Sequence, residues 1–455
     1  MEFRTAIAAL ALATASVTMA HAQTSAPRQV AATASGDELT RIETQRGALF
    51  QRMLDQPDDL DAAFAYAALS VQAGDLEAAI STLERMLIYA PGLPRLKLEL
   101  SLLYFRLNAL DSARLHLEEA LAGDLPDEVR RKAETLLARI DQGEQTDVFT
   151  AQLRAGIRYQ TNANRAPIGS NVTLNGIPFV LSRDARARDD GNVFIAGSMH
   201  YAVDLERQGD TFDFDVIGYG ARQFEIDDIN TALLETSIGP SFGLGRFEID
   251  NAKLGIFGIA AGTLLDDEFY LGSLGVGTRF VRQFTPETGL LLKAEYRRRW
   301  FKDIDVAPNG SERTGNLFAG GAVLNHVINP DLLFTATANI SRATAEEDYL
   351  AFTDGGGSVG LSRGFIDPTG LTERRWIASI SAGGVWRRYD DPNPVTNPDF
   401  TQEDRELFVS GTLTVPLAQA GWAVVGQAEY RDVRSNYDTS DHDNVSVSLS
   451  VVRNW

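Results

Sequence analysis

Lys293, Glu295, Arg297 and Arg299 occupy one parity of a short segment whose other parity holds Leu290, Leu292, Ala294, Tyr296 and Trp300. Successive residues of a strand point to opposite faces, so this segment offers four charges to one side and an apolar band to the other. Such a face can line an aqueous passage and meet a hydrated polymer through electrostatics. It cannot lie against lipid. Arg154, Arg158 and Arg279 stand at the inward parity of other alternating segments. Together these residues would either line a lumen or pair across it and fill it, as in small closed barrels.

Bond-making chemistry finds little support. A hydrolase or acyltransferase of the covalent type needs a nucleophile with a base brought beside it. His200, His326 and His442, the histidines of the C-terminal part, lie on separate segments, none in a recognisable Ser or Cys arrangement. An enzyme is therefore not expected, and neither are a cofactor or a metal centre. Carboxylates cluster at Asp227 and Asp228, at Asp266, Asp267 and Glu268, at Glu346, Glu347 and Asp348, at Asp390 and Asp391, and around Asp438, Asp441, His442 and Asp443. Groups of this kind can hold Ca²⁺ between the protein and lipid phosphates, but the ordered ligand spacing and glycine of a dedicated calcium loop are missing. Solvated loops are the expectation. The formal charge of −20, from 42 Lys and Arg against 62 Asp and Glu, argues against nucleic acid as a partner, because phosphate recognition depends on cationic side chains.

The elements that must position these charges are strands. The chain ends with Val445, Val447, Leu449, Val451 and Trp455 on one parity and Ser446, Ser448, Ser450 and Asn454 on the other, with Arg453 as a single breach. A water-soluble sandwich strand would also alternate, but an aromatic terminus after this pattern resembles the signal read by the barrel assembly machinery of the outer membrane. Fourteen alternating segments are predicted, near 151–161, 192–204, 210–223, 230–243, 249–262, 270–283, 288–300, 314–327, 331–342, 355–365, 373–388, 404–416, 421–432 and 443–455. Alternate connections are short and rich in turn residues, as at Asn329, Pro330 and Asp331, while those between are longer and acidic. Trp376 and Trp386 share a face with Ala378, Ile380 and Ala382, and the ten residues between them, at about 3.3 Å each and tilted by roughly 40°, rise about 25 Å. That is the height of an apolar band between aromatic girdles, to which Trp300, Trp376, Trp386 and Trp455 are assigned. No apolar run reaches the roughly 18 to 20 residues of a spanning helix, so insertion in a membrane requires a closed sheet.

The first part of the chain differs in kind. Arg4, an apolar stretch from 5 to 17, and Ala20 and Ala22 around a cleavage point before Gln23 read as a signal peptide over residues 1–22. Residues 23–36 read as a flexible leader. Residues 37–145 are helical in pattern and repeat at 34: Leu49, Leu83 and Leu117; Met53, Leu87 and Leu121; Pro57 and Pro91; Ala79 and Ala113. This is the tetratricopeptide period. Ala67 and Ser101 should mark close helix approach, with Gly74 and Asn108 at turns and Pro91 and Pro126 closing repeats. The first helix of each pair should offer a short concave groove of Phe64, Val71, Arg95, Leu98, Leu102, Phe105 and Arg106, for an extended peptide or a partner protein, unless Leu98 and Leu102 are simply core.

The expected fold is thus multidomain, a short tetratricopeptide α-solenoid followed over residues 146–455 by an all-β, transmembrane antiparallel barrel of about fourteen strands. This combination resembles the surface lipoprotein assembly modulators, the Slam proteins or type XI secretion system. The segment Gly156-Ile157-Arg158-Tyr159-Gln160-Thr161-Asn162-Ala163-Asn164-Arg165-Ala166-Pro167 looks like the Asn-rich junction after the first barrel strand in that family. The resemblance implies an outer-membrane translocator that moves client proteins, often lipoproteins for metal or haem acquisition, from periplasm to cell surface. Its partners would be a secreted or lipoprotein client, a periplasmic chaperone and outer-membrane lipids. The alternative is an exopolysaccharide export porin, which also joins such repeats to a barrel; its lumen should interleave aromatic platforms with carboxylates, whereas the inward sets read here are richer in Arg, Ser, Thr and Gly. The long first loop, 162–191, would be a plug or a surface loop, and the small Ser side chains of the last strand together with the breach at Arg453 are compatible with weak closure, which makes an open seam with the first strand a further route.

Overall fold

The structure, a computed structural model, describes residues 36–56, 58–107, 109–143, 147–205, 209–247, 249–370 and 374–455. The expected signal peptide, nearly all of the leader, Pro57 and Asn108 lie outside these residues. The chain divides into a helical unit and a barrel unit.

The helical unit comprises α1 (Gly36–Asp55), α2 (Leu60–Gln72), α3 (Leu76–Tyr89), α4 (Pro94–Arg106), α5 (Leu110–Leu121) and α6 (Asp127–Gly143). Boundaries follow local chemistry. Asp59 and Asp75 cap α2 and α3, accepting from Ala62 N at 2.9 Å and Ala78 N at 3.0 Å. Pro94 opens α4, where its missing N–H costs nothing. Gly74 takes φ +81°, the left-handed value that reverses the chain between paired helices. The 34-residue period becomes a core: Met53, Ala67, Ala79, Leu83, Leu96 and Leu100 form one buried cluster, and Ala113, Leu117, Ala133, Leu136 and Ile140 a second. Ser101 is fully buried where the sequence places a close helix approach.

The barrel contains β1 (Asp147–Gln160), β4 (Asp190–Asp204), β5 (Thr211–Gln223), β6 (Thr231–Gly243), β7 (Ala252–Leu265), β8 (Glu268–Thr285), β9 (Thr288–Phe301), β10 (Gly315–Asn329), β11 (Leu332–Ala343), β12 (Phe352–Ile366), β13 (Arg375–Pro392), β14 (Thr401–Pro416), β15 (Trp422–Ser435) and β16 (His442–Asn454). β2 (Asn171–Leu174) and β3 (Ile177–Val180) form a separate hairpin. The fourteen barrel strands close in sequence order, with β1 pairing antiparallel to both β4 and β16. Closure is required wherever a sheet crosses lipid, because no water is present to satisfy an exposed strand edge. The exterior carries exposed Ile157, Ile195, Leu234, Leu274, Val359 and Leu449, the apolar coat of a membrane-spanning barrel.

The seam between β1 and β16 is paired rather than open. Its register runs from Gln152↔Asn454 to Gln160↔Ser446. Trp455 N donates to Ala151 O at 2.9 Å beyond one end, and Thr161 N to Val445 O at 3.0 Å beyond the other. At Gly156 a Cβ would stand 2.4 Å from Leu449 O, so the closest approach of the two strands excludes any side chain. The Asn-rich junction acts as a latch. Asn162, buried, accepts from Ala166 N at 2.9 Å and donates to Ala166 O at 2.9 Å and Asp443 O at 3.1 Å, while its own N–H donates to Asn444. Arg453 does not weaken closure: its guanidinium lies over the Trp422 and Trp455 rings at 5.5 and 5.3 Å and bonds the Ala420 carbonyl.

Two further expectations change. The connection holding Asp266 and Asp267 is a tight turn, both residues at positive φ (51° and 61°), as two-residue hairpins with the twist of their strands require. The first loop carries an exposed hairpin that packs on neighbouring connections. Asn175 and Gly176 turn β2 into β3, and Thr173 N donates to Asp438 at 3.1 Å, Asn175 N to Thr396 O at 2.8 Å and Ile168 N to Asp441 O at 2.9 Å, laying the hairpin on the connections after β13 and β15.

Asn162→Ala removes three side-chain hydrogen bonds from a buried site and should cost about 1–3 kcal/mol; the loss is read as a lower temperature for conversion of the folded barrel band on a semi-native gel. Asp75 is held below the usual carboxylate range by its bond from Arg46 and then by that from Ala78 N. Its stabilisation is therefore complete above the unfolded value of about 3.9 and fades as pH falls through that range. The melting temperature of the helical circular-dichroism signal should fall on acidification, and Asp75→Asn, which keeps the cap and loses the charge, should shrink that fall.

Candidate functional site

Strand parity turns the inward residues of β5 to β9 into a charge ladder. Arg297 sits on β9 with its guanidinium donating to Glu235 at 2.6 Å and forming an ion pair with Glu295 at 3.0 Å. Lys293 pairs with the same Glu295 at 3.0 Å. Arg279 on β8 reaches Asp213 at 3.0 Å and Asp215 at 3.4 Å, and Asp215 in turn meets His200 Nδ1 at 2.7 Å and accepts from Ser237 at 3.2 Å. The Arg297–Glu235 and Arg279–Asp213 chords reach three strands along the wall while the two pairs to Glu295 stay within β9, and glycines leave room for the inward side chains. A Cβ at Gly275 would stand 2.9 Å from Arg297 Cγ, and one at Gly277 would stand 2.6 Å from the Phe257 ring.

All seven sequence-assigned lumen residues face inward, but they divide by partner. Arg279, Lys293, Glu295 and Arg297 belong to the ladder. Arg154 meets Ser450 at 2.8 Å and Gln427 at 3.2 Å, Arg158 meets the Tyr219 hydroxyl at 3.2 Å, and the two guanidinium groups flank Phe194 at 5.5 and 4.9 Å. Arg299 donates to the Thr344 carbonyl at 3.2 Å and lies over Phe301. The buried charges of the ladder are tolerated because their counter-charges are already in place.

The sequence reading missed the other half of the lining. Asp213, Asp215, Glu235, Asp354, Glu406 and Glu429 all face inward, and Arg387 and Arg431 pair with the last three. The expectation of a lumen poor in carboxylates and aromatic rings is thus corrected. Phe194, Phe257, Phe352 and Phe408 are inward platforms, although an Arg or Lys covers each ring. The alternation of Phe212, Phe214 and Val216 with Asp213 and Asp215 carried this signal.

Of the aromatic girdle, Trp300 and Trp386 are exposed on the outer face near the ends of β9 and β13 that lead to long connections, while Trp376 and Trp455 stand at the short-turn end, Trp376 against Phe365 at 6.3 Å. In the helical unit the expected groove also divides. Phe64 and Val71 pack against the first core cluster, and Leu98 and Phe105 against the second. Arg95, Leu102 and Arg106 are exposed, Arg95 with its guanidinium 5.0 Å from the Phe64 ring. Tyr104, unassigned in the sequence, bonds Glu84 across the helices; burial and that bond push its phenol up to about 12.

A tetratricopeptide-repeat family model matches residues 70–140. No curated protein matches the chain. Among solved structures, the type III secretion translocator chaperone SycD of Yersinia enterocolitica is 14% identical over 23% of this chain and 76% of its own, with a TM-score of 0.22. A bacterial polysaccharide outer membrane secretin is 9% identical over 67% of this chain and 98% of its own, TM-score 0.34. The outer membrane protein opdK of Pseudomonas aeruginosa is 9% identical over 68% and 98%, TM-score 0.33. Likenesses at this level assign no activity.

Arg297→Gln strips Glu235 and Glu295 of their shared cation and should destabilise the barrel by about 3–5 kcal/mol, whereas replacing all three residues with neutral isosteres should cost far less. The midpoints of urea-driven barrel unfolding in detergent compare the two.

Proposed function

We propose that this chain is an outer-membrane translocator that carries particular client proteins from periplasm to cell surface. The observation that carries the reading is the joining, in one chain, of a short tetratricopeptide unit bearing exposed Arg95, Leu102 and Arg106 to a closed barrel whose inner wall is charged. The strand count is even, so β1 begins and β16 ends on the side of the short turns, the periplasmic side of an outer-membrane barrel. In this reading the helical unit works in the periplasm and docks a client, lipidated or not, or its chaperone. A wall of paired charges suits hydrated polypeptide and repels lipid. The trans-membrane girdle of Trp300, Trp376, Trp386 and Trp455 fixes the barrel's depth.

The inward carboxylates and phenyl platforms favour a second reading, export of a polysaccharide. The cations covering those rings count against it, since a sugar would have to displace them.

Protease accessibility of surface proteins, compared in cells with and without this gene, separates the readings. A client should lose surface exposure while its cellular amount holds, and Arg95→Glu with Leu102→Glu and Arg106→Glu should reproduce that loss with the barrel still assembled. Unchanged exposure of every surface protein together with loss of an exopolysaccharide would replace the first reading by the second.

A further inference from the structure

Inward residues of β6 to β13 line a half-open cavity of about 350 Å³, joined by Arg313 and Leu350 from the connections 302–314 and 344–351. Its cationic lining is Lys293, Arg297, Arg299, Arg313 and Arg387. Its carboxylates are Glu235, Glu295 and Asp354, so the cavity carries an excess of two positive charges (five against three) in a chain of net charge −20. The three carboxylates are already engaged by Arg297, Lys293 and Arg387. Among the described residues no carboxylate bonds Arg299 or Arg313. Arg299 is only 8% exposed, and its Nε is buried without an acceptor. A guanidinium in that position has lost its water and gained no counter-charge, a costly arrangement that an incoming anion would relieve.

Much of the rest of the lining is apolar or aromatic, with Tyr270, Leu271, Phe301, Leu317, Phe352 and Tyr389, beside the polar Thr263, Ser273, Asn339 and Ser341. A volume of this size falls at the lower end of small-molecule sites, which combine apolar walls with a few converging polar groups. We propose that this cavity binds a small organic carboxylate, its head group taken by Arg299 and Arg313 and its apolar body held against Tyr270, Phe301, Phe352 and Tyr389. The planar fork of a guanidinium matches a carboxylate with two parallel hydrogen bonds. The site does not depend on what the barrel exports.

Titration calorimetry of the full-length protein in detergent, with benzoate as the probe, tests the assignment. Saturable binding of benzoate is expected, with benzyl alcohol and inorganic phosphate each weaker by about tenfold or more. Arg299→Gln and Arg313→Gln should each weaken benzoate by about tenfold, while Arg222→Gln, which alters an exposed pair with Asp267, should leave it unchanged. Arg313 lies on a short turn outside the strands, so its variant decides the matter if Arg299→Gln fails to assemble. Benzyl alcohol binding as tightly as benzoate would remove the role of charge, phosphate binding as tightly would remove that of the apolar walls, and benzoate binding unaltered in Arg313→Gln, or absent up to about 10 mM in the wild type, would overturn the site.

Discussion

Hydrogen bonding between β1 and β16 is the interaction on which the barrel depends. A sheet in lipid cannot leave an edge unpaired, and these two strands are the chain's first and last chances to remove one. The closing pair is built for close contact. Gly156 offers no side chain where the Leu449 carbonyl and Ser450 come close, and Asn162 ties the exit of β1 to the start of β16. Once the ring is shut, the parity of every strand is fixed, since a slip of one residue would send Arg297 to lipid and Leu292 to the lumen.

Parity then decides the chemistry. An inward Arg lies in a space where water is limited and a counter-charge must come from a neighbour. For Arg279 and Arg297 those neighbours include carboxylates three strands away, on β5 and β6, and reaching them is easier where the residues between are small. Gly275 and Gly277 meet that need beneath Arg297 and Phe257. The glycines of these strands are thus part of the electrostatics. Among the described residues no carboxylate bonds Arg154 or Arg158, and hydroxyl and amide oxygens and the face of Phe194 stand in.

The helical unit solves a different problem with a different regularity. Its 34-residue repeat places Leu49, Leu83 and Leu117, and Ala79 and Ala113, at equivalent layers, so that stacking neighbours buries side chains in two successive clusters. The same stacking claims half of the residues that a groove might have used: Phe64, Val71, Leu98 and Phe105 serve the core, and what remains exposed is cationic apart from Leu102.

Sequence alone determined the architecture. Alternation located all fourteen barrel strands to within a few residues and assigned the faces of several, because a strand's period of two is a local property that lipid and water enforce at each position. The helical repeat was equally legible. The Asn175–Gly176 turn, flanked by Val172, Leu174, Ile177 and Phe179, carried a hairpin signal that went unread inside a long loop. What only the tertiary structure decided is pairing. Which carboxylate meets Arg279 or Arg431, whether the seam shuts, and which cations are left without a counter-charge around one cavity depend on strands brought together across the barrel wall, and, for the seam, from opposite ends of the chain. No local period encodes that.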